Sequence, residues 1–217
     1  MNHAVIISKR VGIYVIGLFI LALGATFSIL AGIGVSPVTS LPYALNLITP
    51  FSVGVTTVFA NFLFIILQAI LMKQIKWKNF TIQLIVSFLF GFFMDATIFL
   101  TSFLPEANSI VYIILYLALS LIIVAIGLLF YFTAALPMMP YDALTYVISN
   151  KWALAFSKAK IRSDLANVVV SLVLCFIFIQ TWGAIGIGTF IAAYGIGKIV
   201  GVFLKKFQPG LKSWVFK

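Results

Sequence analysis

Six long apolar segments, separated by short polar stretches, constrain what this chain can fold into. Each is long enough to cross a bilayer, whose hydrocarbon core of about 30 Å needs roughly 20 apolar residues in an α-helix. The predicted spans cover residues 11–31, 54–72, 81–104, 109–136, 164–182 and 184–204. Because a helix satisfies its backbone polar groups within one segment, the sequence predicts an all-α transmembrane protein.

The composition agrees with this prediction and excludes an ordinary soluble domain. Of the 217 residues, 64% are hydrophobic and 8% are charged, whereas soluble domains carry about 25% charged residues. In a soluble protein the net charge of +10 would suggest nucleic-acid binding. Here the basic residues flank apolar segments, which is typical of orientation in a bilayer. We therefore predict one integral membrane domain over residues 1–217, with the lipid bilayer and no nucleic acid as a partner.

The positions of the basic residues predict the orientation of the chain. Of the 14 Lys and Arg residues, 13 fall in the two terminal segments, between the second and third spans, or between the fourth and fifth spans. The remaining one, Lys198, lies inside the sixth span, where its long side chain can extend toward the same side as the C-terminal segment. In a six-span protein these regions share one side, and the opposite side carries a single charged residue, Glu106. Because basic residues are enriched in cytoplasmic segments, both termini are predicted to be cytoplasmic.

Two proline-containing segments, GVSPVTSLPYAL and MMPYDALTYVI, indicate an internal repeat. Pro37 and Tyr43 in the first segment recur as Pro140 and Tyr146 in the second, each 103 positions later. Residues 11–104 and 109–204 would then be two copies of three spans each. Because three is an odd number, the copies must be inverted relative to each other, an arrangement common in transporters with a midplane substrate site.

The first proline segment is uncharged and as apolar as a buried core. Residues 32–53 and 137–153 are therefore predicted to be re-entrant or half-helical segments, buried against protein where irregular backbone is tolerated. An amphipathic helix lying flat at each membrane interface is the alternative.

Five motifs, in order, resemble the bacterial YczE/YyaS/YitT-like membrane proteins: GIGVSPVTSLPYAL, GVTTVFAN, FGFFMD, PYDAL and GIGTF. The resemblance covers nearly the whole chain. It implies a multi-pass protein of the bacterial inner membrane, from a family suspected of transport. Many relatives carry Pro-Trp-Asp in the first proline segment, whereas this chain has Pro37-Val38-Thr39. A role for an acid at that position therefore does not transfer.

Asp95 is the strongest single candidate for a functional side chain. It lies 14 residues into the third predicted span, where an acid is costly and usually faces the protein interior. It could take up a proton, bind a cation or contact a polar group of a substrate, and we predict a role in substrate binding. A purely structural acid would instead accept hydrogen bonds from Asn61 or a threonine hydroxyl.

Two asparagines occupy matching positions in the two copies. Asn61 and Asn167 are 106 positions apart, and each follows an alanine. Inverted symmetry would place them at related positions about the pseudo-twofold axis, so both are predicted to line the central site. Hydrogen bonding between helices is the alternative role for an amide inside a span.

Further candidate binding residues lie in and beside the proline segments. Asp142 falls in the first turn of the second half-helix, where a carboxylate complements the positive helix end, and it would also suit a gate or a cation site. Asp164, four positions after Lys160, has the spacing of a salt bridge at a helix start. The other predicted binding residues supply hydroxyl groups, aromatic walls or helix starts: Pro37, Thr39, Ser40, Tyr43, Thr57, Pro140 and Tyr146.

These features favour a small transporter or channel-like carrier for a small polar or zwitterionic metabolite or an ion. An enzyme is not expected, because the single histidine, His3, lies outside the spans and no HExxH motif occurs. With one cysteine, Cys175, the chain also predicts no metal site and no cofactor. The alternatives are the substrate-binding subunit of an energy-coupling vitamin transporter and a non-transporting accessory membrane protein. A chain of this size could also form a homodimer.

Overall fold

The computed structural model describes residues 3–217, and this range contains helices and no strand. Eight helices follow one another within it: α1 (His3–Leu30), α2 (Pro37–Ile48), α3 (Val53–Met72), α4 (Trp77–Thr101), α5 (Ile110–Thr133), α6 (Pro140–Lys151), α7 (Phe156–Ile179) and α8 (Ile187–Phe216). The predicted all-α fold is confirmed.

Six of these helices, α1, α3, α4, α5, α7 and α8, are long and apolar enough to cross a membrane. The prediction of six spans is therefore confirmed, but several predicted ends are wrong. Helix α1 begins at His3, α7 begins at Phe156, and α8 continues to Phe216. The physical reason is that apolar length measures the hydrocarbon core, whereas a helix can continue through polar residues beyond that core.

The two remaining helices, α2 and α6, occupy the proline segments. Each has 12 residues, about 18 Å at 1.5 Å per residue, which is too short to cross a bilayer. Each also begins with a proline, Pro37 or Pro140. Proline suits the first helical position, because its φ is already helical and its missing N–H would have no partner there. Half of the residues or more in each helix are buried, so both pack against protein. We call α2 and α6 the half-helices for their length alone, and their depth in the membrane stays a prediction.

The chain forms two compact units, and the first contains the chain up to Gly34, Ala96–Leu136 and Ile187–Lys217. In this unit α1 packs along α5 through close backbone contacts. A Cβ atom on Gly24 would lie 2.7 Å from the Val124 nitrogen, and one on Gly127 would lie 2.7 Å from the Leu21 nitrogen. Small residues allow helix backbones to approach closely in membranes. Helix α5 also contacts α8.

The second unit contains Val35–Asp95 and Pro137–Gly186. Its two half-helices pack in the same way: α2 contacts α3 and α7, and α6 contacts α7 and α3. Their shared core consists of Leu41, Ala60, Phe64, Tyr141 and Leu144. Each half-helix thus packs against a long helix from the other half of the sequence. The inverted relationship of the halves and the cytoplasmic termini stay predictions.

Candidate functional site

Asn167 attaches the start of α2 to α7. Its side-chain Nδ2 donates to the Pro37 carbonyl at 2.6 Å and to the Ser40 hydroxyl at 3.3 Å. The Ser171 hydroxyl, one turn farther along α7, donates to Ser40 at 3.1 Å. Asn167, Ser40 and Ser171 are all buried. Asn167, predicted to line a binding site, therefore hydrogen-bonds to the half-helix of the other half of the chain, and Ser40 takes part in the same contact.

Gln68 makes the corresponding attachment between α3 and α6. Its side-chain Nε2 donates to the Pro140 carbonyl at 3.1 Å. It also exchanges two hydrogen bonds with the Gln83 amide of α4, at 2.9 and 3.2 Å. Sequence reasoning missed this pair, although the signal was present. Two glutamines inside apolar spans must find partners, and both are buried here.

The two attachments are related but not equivalent. Asn167 corresponds in sequence to Asn61, yet Gln68, seven positions after Asn61, bonds to the α6 proline. Seven residues are about two helical turns, so Asn61 lies about 10 Å from Gln68 along α3. Asn61 is consequently not used to hold α6.

A cavity of about 40 Å³ lies beside Asn61, where the first turns of α2 and α6 meet α3 and α4. Three predicted binding residues, Thr39, Thr57 and Asn61, line it together. The complete lining is Val38, Thr39, Pro42, Thr57, Asn61, Phe64, Phe90, Met94, Met139 and Tyr141. We take this cavity as the candidate functional site.

Asn61 is the uncommitted polar group of the cavity. Asn61 is only 7% exposed, and its side-chain amide has no hydrogen-bond partner within residues 3–217. The hydroxyl groups nearby are engaged: Thr57 donates to the Val53 carbonyl at 2.7 Å, and Thr39 shares a hydrogen bond of 2.8 Å with Ser36. A group that entered the cavity could satisfy this amide.

Helix α2 brings to the same cavity two backbone groups that lack the usual helical partner. Pro42 lies inside the helix and has no N–H to donate to the carbonyl of Val38, four residues earlier. The Val38 N–H lies in the first turn, where an α-helix offers no internal acceptor. Both Val38 and Pro42 line the cavity. The N-cap residue Ser36 makes no side-chain capping bond, and α2, described in full, has no acid in its first turn.

Tyr141 forms one wall of the cavity and is held by charged neighbours. Its phenol donates to the Asp164 carboxylate, and the Lys160 ammonium bonds to the same carboxylate at 2.6 Å. Lys160 also lies 4.4 Å from the centre of the Tyr141 ring, and Phe64 packs against that ring edge-on. The predicted Lys160–Asp164 salt bridge is confirmed. The hydrogen bond from Tyr141 to Asp164 joins the first turn of α6 to α7.

Asp95 lies outside the cavity lining and caps α3. Its carboxylate accepts a hydrogen bond from the Gly54 N–H at 2.7 Å and one from the Ser52 hydroxyl at 2.6 Å. The Ser52 oxygen accepts in turn from the Val55 N–H at 3.2 Å. The expected structural partners, Asn61 or a threonine, are therefore wrong. An acid beside an N-terminus stabilises a helix because it satisfies free N–H groups and complements the helix dipole.

This capping contact also places Asp95 along α3. Because it bonds to the first turn of a 20-residue span, it lies near one end of that span and not at its middle. It borders an open groove of about 590 Å³ between α3 and α4, lined mostly by apolar side chains such as Phe59 and Phe88. Both phenylalanines are exposed, as expected for side chains that face lipid.

The other predicted binding residues in the proline segments do not line the cavity. Pro37, Ser40 and Pro140 are buried at the starts of the half-helices, and Asp142 is buried in the first turn of α6. Tyr43 is partly buried, whereas Tyr146 is 50% exposed. Their roles in substrate binding stay predictions.

Known proteins similar to this chain include two bacterial relatives. It is 28% identical over 193 residues to the "Uncharacterized protein YyaS" of Bacillus subtilis (strain 168), covering 88% of this chain and 90% of the relative. It is 24% identical over 196 residues to an "Uncharacterized protein" of Haemophilus influenzae, covering 90% and 84%. No solved structure matches. The expected resemblance to YyaS-like proteins is confirmed, and, with a match over residues 8–205, the chain belongs to DUF6198, a family of unknown function.

Proposed function

We propose that this protein is a small membrane transporter or channel-like carrier, and that its substrate, a small polar or zwitterionic metabolite or an ion, contacts the Asn61 cavity. The observation that carries the proposal is a cavity lined by an amide that has no protein partner within the described residues and belongs to a spanning helix. Polar groups at membrane depth are costly and usually functional. Asn167, the related residue, has a structural partner, so the exception at Asn61 calls for a functional explanation.

The surrounding architecture supports the same proposal. Many transporters place substrate sites beside broken or short helices whose ends lie within the membrane. Here α2 and α6 are short helices, and residues from the first turn of each line the cavity. The packing of each half-helix against a long helix of the other half suits the predicted inverted repeat. We infer a multi-pass protein of the bacterial inner membrane, with both termini cytoplasmic and no enzymatic activity.

The decisive experiment is a thermal-unfolding screen of the purified protein against pools of metabolites and salts. A ligand of the cavity should raise the unfolding temperature of the unaltered protein and should not raise that of Asn61→Leu. Ser120→Ala is the matched control, because the Ser120 hydroxyl is also buried in a spanning helix without a hydrogen-bond partner but does not line the cavity. It should retain the response.

Compounds that bind should then be tested for flux into proteoliposomes. Flux that requires the protein and is reduced by Asn61→Leu would support the proposal. If no pool stabilises the protein, or if every stabilising compound acts equally on Asn61→Leu, the assignment of the cavity is wrong. An accessory role would then be the better interpretation.

A further inference from the structure

The chemistry around the cavity indicates which class of group it can hold. Resting on the proposed function above, we propose that the Asn61 cavity binds a small monovalent anion, between a halide and formate in size. Three independent features lead to this class: the charge of the cavity wall, the hydrogen-bonding groups that reach it, and its volume.

The charge of the wall comes from the backbone and not from side chains. None of the ten lining residues, all within the described range, is charged. Helix α2 begins at the cavity with no acid in its first turn and no side-chain cap, so its positive end, about half an elementary charge, is not neutralised locally. Helix α6 also begins there, but Asp142 occupies its first turn. The field at the α2 end therefore favours an anion over a cation.

The available groups include donors that an anion requires. The Asn61 side chain offers N–H groups and lacks a partner within the described residues. The Val38 N–H belongs to the first turn of α2, where helices commonly bind anions. The Thr39 hydroxyl shares its bond with Ser36, with either oxygen able to donate, so it can turn toward a ligand. With neutral donors and no Lys or Arg in the lining, a singly charged anion fits better than a divalent one.

The volume sets the size of the anion. A single water molecule needs a cavity volume of roughly 10–15 Å³. This cavity has about 40 Å³, which is enough for a group of one to three heavy atoms. An amino acid or a vitamin would not fit in this arrangement of the helices. The cavity therefore suits fluoride, chloride, bromide or formate.

The test begins with thermal unfolding of the purified full-length protein in detergent. The anion is varied as sodium fluoride, chloride, bromide, formate and gluconate at constant ionic strength. In a second series sodium is replaced by potassium or choline at constant anion. We expect stabilisation to depend on the small anion, to be absent in gluconate, and to be unchanged by the cation. Stabilisation that follows the cation, or equal stability in all salts, would overturn the proposal.

Asn61→Asp provides a charge test at nearly constant size. A carboxylate at this position would repel an anion, so the apparent affinity for the best anion should fall at least tenfold. Unchanged anion binding by Asn61→Asp would contradict the proposal, whether or not the variant also binds a cation. Thr39→Val tests the same site through a different helix should Asn61→Asp unfold. Ser120→Ala should bind as the unaltered protein does.

Flux measurements separate this inference from the proposed function. Proteoliposomes loaded with gluconate are diluted into salts of the best anion, and entry is followed with an anion-selective electrode. Selective binding without protein-dependent flux would leave the anion site standing and remove the transport proposal. Flux of a cation or a neutral solute without anion dependence would leave transport standing and overturn the anion site.

Discussion

The Asn167 amide donates to the Pro37 carbonyl at 2.6 Å, joining positions 130 residues apart in the chain. Pro37 is the first residue of α2, and Asn167 lies in the middle of α7. This bond orients a half-helix whose first turn lines the cavity. Asn61, which the predicted repeat pairs with Asn167, has no such bond within the described chain. Two asparagines that match in sequence therefore have different tasks.

This difference predicts opposite effects of the same substitution. Asn167→Leu should lower the free energy of unfolding by about 1–3 kcal/mol, because it removes a buried amide that holds Pro37 and Ser40. Asn61→Leu should leave stability unchanged or raise it when no ligand is present, because it removes a buried amide without a protein partner. Thermal unfolding in detergent, in a buffer of gluconate salts, measures both. Equal destabilisation by the two variants would show that Asn61 also has a structural role.

The Gln68–Gln83 pair predicts energetic coupling between α3 and α4. Gln68→Leu removes both hydrogen bonds to Gln83 and the one to the Pro140 carbonyl. Gln83→Leu removes the same two bonds to Gln68 and leaves the bond to Pro140 in place. Each single variant should be destabilised, and the double variant should cost less than the sum of both. The coupling energy should lie at about 0.5–3 kcal/mol. Additive effects in the double-mutant cycle would contradict direct pairing.

Asp95 leads to a prediction that separates capping from substrate binding. Asp95→Asn should lower stability by about 1 kcal/mol, because the neutral amide is a weaker partner for the start of α3. If the carboxylate also binds substrate, as the sequence predicts, uptake should fall too. Ser52→Ala is the control, since it weakens the same cap and leaves the carboxylate in place. Equal uptake by the two variants would argue against a binding role for Asp95.

The orientation of the chain can be tested by labelling single cysteines. In a Cys175→Ala background, cysteines placed at Lys158 and Glu106 should react with membrane-impermeant reagents from opposite sides, because basic residues mark the cytoplasmic side. Both positions are exposed, and the native Cys175 is buried. Labelling of both positions from the same side would contradict the six-span topology.

Much of the fold could be predicted from local features of the sequence. Six spans follow from apolar length, because a helix in lipid must satisfy its own backbone within one segment. The starts of α2 and α6 follow from Pro37 and Pro140, whose ring geometry suits the first position of a helix. The Lys160–Asp164 bridge follows from spacing on one helix, since residues four apart share a face.

The tertiary structure alone determines which residues that lie far apart in the chain become hydrogen-bond partners. Nothing in the sequence distinguishes Asn61 from Asn167, because whether an amide is satisfied depends on which carbonyl the packed helices bring to it. The same reason explains why Asp95 binds to Ser52 and Gly54, and why Gln68 instead of Asn61 holds Pro140. Hydropathy and spacing act within one helix and can be read from the sequence. Hydrogen bonds between helices depend on rotation and depth, which only packing determines.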